Sequence, residues 1–535
     1  MWGPSMRFDR PVHPLSLGYR LLLLLCLLAG LAASQARAAD ARLVIADSQG
    51  DWGPLAPWLH RARGPGYVYT SFVFDSLVWK DPQGVIQPLL ARNWTSDPDW
   101  RCHHFTLNER AQWQDGQPLT AEDVAFTFNY MQQHPYRFVD LSRVQSIQTR
   151  DNRVSICLQR PDRLFVPRVA ASLPIIPQHI YAQVTDPARF TAPEALIGSG
   201  PYRVADYSRA QGFYRLVRNE HWHQGLPRYE EVIINRLSPQ AAAAAMAQGE
   251  VDVMNITHEY IDLFRNSGAE ILQAPSNHPY RLLFNHRQTL ASPQLRQGLA
   301  HAIDREQLIR LAFHGHALPA RPAYRQQGSH EGLNPYSLNR KHAANLLTAA
   351  GWQQNAAGQW LDTQGNPIEL RLIATPGAER LARVLARQLT DFGLGLSVRL
   401  LQDVPLTQAV QQQQFDLALL SQSHQGDPDR FRTLLTGRHA RGDQYLGNPR
   451  LLELLEALRY QTDPAQREAT MFQAEQLYNG DLPSLPLVNP INFAAQRPGT
   501  GAAFTVDGIA MGIPLPLNKL ALFAPESASE VQDTP

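Results

Sequence analysis

Residues 368–431 read "IELRLIATPGAERLARVLARQLTDFGLGLSVRLLQDVPLTQAVQQQQFDLALLSQSHQGDPDRF". Three apolar runs, "IELRLIAT", "LSVRLLQ" and "FDLALLS", have strand character, and between them lie a helical stretch around 378–393 that stops at Gly393 and a short helical piece near 405–413. Strand, helix, strand, helix, strand predicts a parallel sheet with helices on its faces, an α/β arrangement. Ligands of such sheets gather in the crevice beyond the carboxyl ends of the strands. Gln422, His424 and Asp427 follow the last strand at that position, which makes them candidate ligand contacts, although Gly-Asp-Pro is also ordinary turn chemistry.

Working outward, the first half is mixed α and β. "TAEDVAFTFNYM" has Thr120 as a cap answered by Asp123, with Val124, Phe128 and Met131 on one helix face. "SPQLRQGLAHAIDREQLI" has Ser292 and Pro293 opening one helix, with Leu295, Leu299 and Ile303 on one side, and Asp304 opening the next. "SPQAAAAAMAQGE" predicts a helix ending at Gly249, and "EVIINRL", "EILQAP" and "YRLLFNH" predict strands.

At the N-terminus, Arg7, Arg10 and Arg20 precede the apolar run Leu21–Ala33 and the sequence Ala36-Arg37-Ala38. That order is a secretory signal peptide, predicted to be cleaved after Ala38. Its apolar run is short of the roughly 20 residues of a membrane-spanning helix. Cleavage would remove four arginines and Asp9 from the 49 basic and 48 acidic residues, leaving 45 against 47. A near-neutral exported chain carries no electrostatic footprint for nucleic acid or an anionic membrane. A mature chain of this length is expected to divide into two or three domains. Two cysteines would remain, Cys102 in "RCHHFTL" and Cys157 in "RVSICLQR", both in predicted strands. A disulfide between them and a pair of buried thiols are both compatible with an exported compartment.

Four long, ordered passages carry a family resemblance: "FDSLVWKDPQGVIQPLLARNW" (74–94), "FTLNERAQWQDGQPLTAEDVAFTF" (105–128), "IGSGPYRVADYSRAQGFYRLVRNEHWHQGLPRYEEVIINRL" (197–237) and "LLFNHRQTLASPQLRQGLAHAIDREQLI" (282–309). The chain resembles the extracellular solute-binding proteins, family 5, of peptide- and nickel-type ABC importers. The resemblance implies a two-lobed periplasmic binding protein of the type II, cluster C-like α/β class, with an inserted subdomain in the first lobe. Residues 39–85, 190–281 and 496–535 would form lobe I, 86–189 its insert and 282–495 lobe II. The chain crossings at "YRLLFNH" and "NPINFAA" would form the hinge, and closure around a ligand is the expected motion. The implied protein is not an enzyme and needs no cofactor. It would work in the periplasm as a monomer, binding a small solute and delivering it to the permease subunits of an ABC transporter.

In peptide-binding members, an aspartate in the loop after the last strand pairs with the amino terminus of the ligand. As aligned, it lies three positions before the acidic-Pro pair, here Asp427-Pro428, and His424 stands in its place. An imidazole cannot supply a fixed negative charge opposite an ammonium, but it can bond a carboxylate or ligate a transition-metal chelate. The expected cargo is a peptide or another amino-acid-derived solute, with a nickel or similar chelate as the alternative and His424 as its metal contact. Tyr67, Tyr69 and Tyr280 are candidate apolar walls of the cleft.

His103-His104, His221-x-His223 and His314-x-His316 invite a metal reading, but none has a partner at a structural zinc spacing. The resemblance puts His221 and His223 in a surface turn. An exported hydrolase is the rival class. Its strongest sign, Gly198-Ser199-Gly200, departs from the G-x-S-x-G nucleophile elbow, and there is no H-E-x-x-H, P-loop or dinucleotide fingerprint.

Overall fold

The computed structural model describes residues 42–62, 64–276, 278–321, 331–422, 428–436, 442, 445, 447–510 and 512–523. The segment 1–38 and the predicted contacts His424 and Asp427 lie outside them. Among the described residues no helix is long and apolar enough to cross a membrane.

The alternation in 368–421 folds as a parallel unit. Strand Glu369–Ala374 lies between Gly395–Leu400 and Leu417–Ser421 and runs parallel to both. Helix Glu379–Thr390 covers it because Leu381, Leu385 and Leu389 recur every four residues and are buried together. Arg383 and Arg387 on the other face pair with Glu379 and Asp391 one turn away. The chain turns at Gly393, whose φ is +98°, and a Cβ there would stand 2.0 Å from the carbonyl oxygen of Gly358. The next helix, Asp403–Gln411, starts two residues before the expected 405. An aspartate in the first turn favours the earlier start, and the positive φ of Gln413 marks the stop.

In the first half, strand Arg42–Asp47 is an apolar run because parallel neighbours flank it on both edges, Glu231–Arg236 and Val253–Ile256. Antiparallel strands Tyr202–Ser208 and Phe213–Arg218 extend the sheet beyond Glu231–Arg236.

One long strand, Ser484–Gln496, joins the halves. Ser484–Val488 pairs with Tyr280–Phe284, Val488–Pro490 with Ala317–Pro319, and Ile491–Gln496 with Glu270–Pro275 and Val253–Ile256. The result is a 12-stranded sheet among the described residues. The halves keep separate cores. The largest apolar cluster draws on residues between Leu43 and Val253 and between Ala502 and Phe523, and a second draws only on residues between Leu282 and Val488.

A four-stranded antiparallel sheet, Ala91–Ser96, Cys102–Leu107, Arg153–Leu158 and Val144–Arg150, stands apart within segment 86–189. Cys102 and Cys157 are directly opposed in it, 4.1 Å apart at Cα, and form a disulfide. Helix Ala121–Gln133 packs on this sheet, and the backbone N–H of Thr120 donates to Asp123 at 2.9 Å, as expected of its cap. Asp304 likewise accepts from the N–H of Gln307 at 2.9 Å.

One placement implied by the resemblance changes, and one motif already set aside as a nucleophile elbow is explained. The His223 imidazole is not in a surface turn: its side chain is 1% exposed and bonds the buried Asp75 at 2.9 Å, although neighbouring His221 is exposed. Gly198-Ser199-Gly200 is a packing device. A Cβ at Gly198 would come within 2.0 Å of the Val73 carbonyl oxygen, and Ser199 is wholly buried.

Candidate ligand cleft

The carboxyl ends of Arg42–Asp47 and Val253–Ile256 face the second half, because Ser484–Gln496 leaves the second half and runs antiparallel to Val253–Ile256. A cavity of about 230 Å³ opens there, walled by Asp47, Trp52, Tyr69, Asn255 and Pro516. It is smaller than the roughly 300–1,000 Å³ of typical ligand pockets, so it has room for part of a solute.

Asp47 organises this wall. One carboxylate oxygen accepts from the N–H groups of Gln49 (2.8 Å) and Gly50 (3.0 Å). The other accepts from the Tyr69 hydroxyl and the Trp52 indole, each at 2.8 Å. Burial, seconded by the Asp47 charge, holds the Tyr69 hydroxyl well above its ordinary pKa, so it remains a donor. Four donors fix a nearly buried carboxylate, and two aromatic rings are thereby set at the cavity.

Across the sheet, the end of Leu417–Ser421 is tied to the crossing. Ser421 Oγ donates to the His278 carbonyl at 3.0 Å, and the Gln422 N–H points to that of Pro279 at 3.4 Å. The Gln422 side-chain oxygen accepts from Arg281, which also donates to Ser484 Oγ at 3.1 Å. Tyr280 is paired with Ser421 across the ladder, and its half-buried ring packs beside Phe313, centroids 5.9 Å apart. Burial raises its hydroxyl pKa.

The structure therefore brings Gln422 and Tyr280 together at the crossing and puts Tyr69 in the cavity wall of the other half. Tyr67, two residues earlier on helix Pro65–Val73, turns away into the core and donates to the Ser172 carbonyl at 2.8 Å. Sequence reasoning passed over Asp47, Trp52 and Asn255. The run "LVIAD" ends a strand as "LALLS" does, and the same strand-end logic points to them.

His258, unremarked in the sequence, meets the noted pair His314 and His316 at this crossing, with ring centroids 5.2 and 5.6 Å away. Its Nε2 is shut from solvent without a hydrogen bond, and Glu259 lies 3.4 Å off. Burial lowers the His258 pKa, and His314, His316 and Arg380 act in the same direction against Glu259. Among the described residues, no three histidine, cysteine, aspartate or glutamate side chains are arranged to hold a metal ion.

Residues 85–442 match the family model described as bacterial extracellular solute-binding proteins, family 5 Middle. A Brucella ovis protein named as an ABC transporter peptide-binding protein is 25% identical over 461 residues, covering 81% of this chain and 84% of its own. The nickel-binding periplasmic protein of Escherichia coli is 24% identical over 374 residues, covering 65% of this chain and 68% of its own. The oligopeptide-binding protein AppA of Bacillus subtilis, solved with a nonapeptide, superposes with a TM-score of 0.69 at 20% identity, over 90% of this chain and 97% of its own. The chain belongs to the bacterial extracellular solute-binding proteins of family 5, the non-enzymatic binding components of ABC importers.

Proposed function

We propose that the exported chain, its first 38 residues removed, captures a peptide or similar amino-acid-derived solute between two lobes in the periplasm and hands it intact to an ABC permease. The lobes are 39–85, 190–281 and 496–535 on one side, carrying the insert 86–189, and 282–495 on the other. The observation that carries this reading is the cavity at the end of Arg42–Asp47, walled by Tyr69 and Trp52, at strand ends that face the second half. Apolar walls with a few fixed polar groups suit one residue of an extended solute. The peptide-binding name of the Brucella ovis relative supports the choice of cargo.

His424 and Asp427 are carried as ligand contacts on sequence grounds. We expect His424→Ala to weaken cargo binding at least several-fold, and unchanged affinity would remove this residue from the site. The deciding experiment is native mass spectrometry with metal analysis on protein purified from its host periplasm. A bound peptide mass is expected.

The second reading is a nickel or similar chelate. The nickel-binding relative favours it, as does the sequence placement of His424 in the loop after Leu417–Ser421. A bound mass containing nickel would establish that reading and displace the first.

A further inference from the structure

Where the crossing strand Ser484–Gln496 passes from one half to the other, three imidazoles meet. His258 opens the turn that follows Val253–Ile256 of the first half. His314 and His316 lie in the link between helix Arg305–Ala312 and strand Ala317–Pro319 of the second. The His316 carbonyl accepts from the N–H of Ile491 at 3.1 Å, and its ring packs on Phe493 with centroids 5.2 Å apart, which seats the link on the crossing strand. The His258 ring lies 5.2 Å from that of His314 and 5.6 Å from that of His316.

These contacts suit neutral imidazoles. Arg380, on helix Glu379–Thr390, donates to His314 Nε2. A guanidinium has no acceptor, so this nitrogen must offer its lone pair, and a proton there would turn the bond into repulsion. His258 Nε2 is shut from solvent without a hydrogen bond, and a proton there would gain only Glu259, 3.4 Å away.

The charged and titratable groups that bear on His258 are Glu259 on its own turn and Arg380, His314 and His316 from the second half. The crossing strand adds the apolar Phe493 behind His316. With neutral imidazoles, Arg380 and Glu259 balance, and each proton taken up adds one positive charge. Glu259 is 55% exposed, so water and salt screen it, and one carboxylate cannot neutralise three imidazolium ions and a guanidinium. Burial is the leading cause that lowers the His258 pKa, and the cations of the second half act in the same direction. Parted from that half, His258 would bind its proton more readily, so protons favour parting.

We propose that this cluster is an acid-sensitive junction between the halves: neutral imidazoles let the turn 258–260 pack on the link 314–316, and protonation drives the two apart. Asn255, three residues before His258, lines the cavity, so parting also loosens the cavity wall and its hold on cargo. The junction stands apart from the capture reading, and only its effect on cargo rests on that reading.

The test uses the mature protein with spin labels on Asn266→Cys and Leu311→Cys, both exposed positions near the two sides of the junction. Electron–electron resonance distances are recorded from pH 8 to pH 5. A single short distance is expected at pH 8, with a longer population growing below about pH 6.5, the ordinary imidazole range. His258→Gln and His314→Gln are each expected to cut that population at pH 5 at least threefold. Glu259→Gln, which removes the counter-charge, should make parting set in at higher pH. If a histidine variant does not fold, Glu259→Gln carries the comparison. Distances that ignore pH, or that respond alike in wild type and every variant, would overturn the proposal.

A second arm reads co-purified cargo by native mass spectrometry at pH 7.5 and pH 5. Wild type is expected to lose at least threefold more cargo at pH 5 than His258→Gln does. Equal retention, with the distances still responding, would overturn the link to cargo. Absence of any cargo at both pH values would count against the capture reading, while the distances would still judge the junction.

Discussion

The Lys519 ammonium lies 2.5 Å from a carboxylate oxygen of Asp75, with both side chains fully buried. The second Asp75 oxygen accepts from the Trp222 indole and pairs with His223, each at 2.9 Å. Lys519 also donates to the Ser71 carbonyl at 3.1 Å and sits 4.3 Å from the centroid of Trp79. This cluster fastens the C-terminal segment to a loop 444 residues earlier. Breaking a buried pair strands a charge, so Asp75→Ala or Lys519→Met is expected to cost about 3–5 kcal/mol in urea unfolding, and the double substitution less than the sum. Burial pushes the Asp75 pKa up, but Lys519 and His223 more than offset it and leave it below the usual carboxylate range. The pair's contribution is thus present above that range and lost as pH falls through the lowered value. Strict additivity of the two substitutions would show that the pair is not coupled.

The disulfide closes a loop with a sequence separation of 55. Loop-closure entropy predicts that reduction costs up to about 4 kcal/mol, a figure that depends on the entropic account. Denatured mature protein is expected to yield no free thiol before reduction and two afterwards. Its urea midpoint should fall when reductant is added. Two thiols without reductant would refute the pairing.

His60 and His103 should make stability decline toward acid pH. Burial is the leading cause lowering each to about 4. His60 stacks on Phe138 at 4.9 Å and His103 on Phe165 at 4.6 Å. An unfolded chain protonates these imidazoles near pH 6.5, whereas the native state resists until about pH 4. Their contribution is therefore whole above about 6.5 and shrinks by at most about 1.4 kcal/mol per histidine for each pH unit down to about 4. Urea titrations at pH 7, 6, 5 and 4 check the slope, and His103→Gln is expected to flatten it. An unaltered slope in that variant would remove His103 from the account.

Much of the fold was legible because it is periodic. The strands and helices of 368–421 follow from alternating apolar runs and stops, and the caps at Thr120 and Asp304 follow from local chemistry. Contacts that join distant segments were not. The cavity needs Arg42–Asp47 to lie beside Val253–Ile256, a pairing sealed by the N–H of Val44 donating to Asp252 across 208 positions. His223 looked like a turn residue because its burial depends on Asp75, which is remote in sequence. The same blindness hid His258, whose meeting with His314 depends on the path of Ser484–Gln496.

Tyr67 and Tyr69 provide a controlled comparison between packing and binding, since they share one helix and each donates one buried hydrogen bond. Tyr67→Phe leaves the Ser172 carbonyl without its phenol, and Tyr69→Phe takes one donor of four from Asp47. Losing such a bond costs about 1–2 kcal/mol, so both variants should unfold at similarly reduced urea concentrations. Only Tyr69 borders the cavity, and the ring and indole held by Asp47 are positioned through that bond. Calorimetric titration with the cargo identified by native mass spectrometry should therefore show affinity falling several-fold in Tyr69→Phe and staying within twofold of wild type in Tyr67→Phe. Equal losses in the two variants would mean that binding merely follows overall stability, and the cavity at the end of Arg42–Asp47 would no longer be a place where cargo is held.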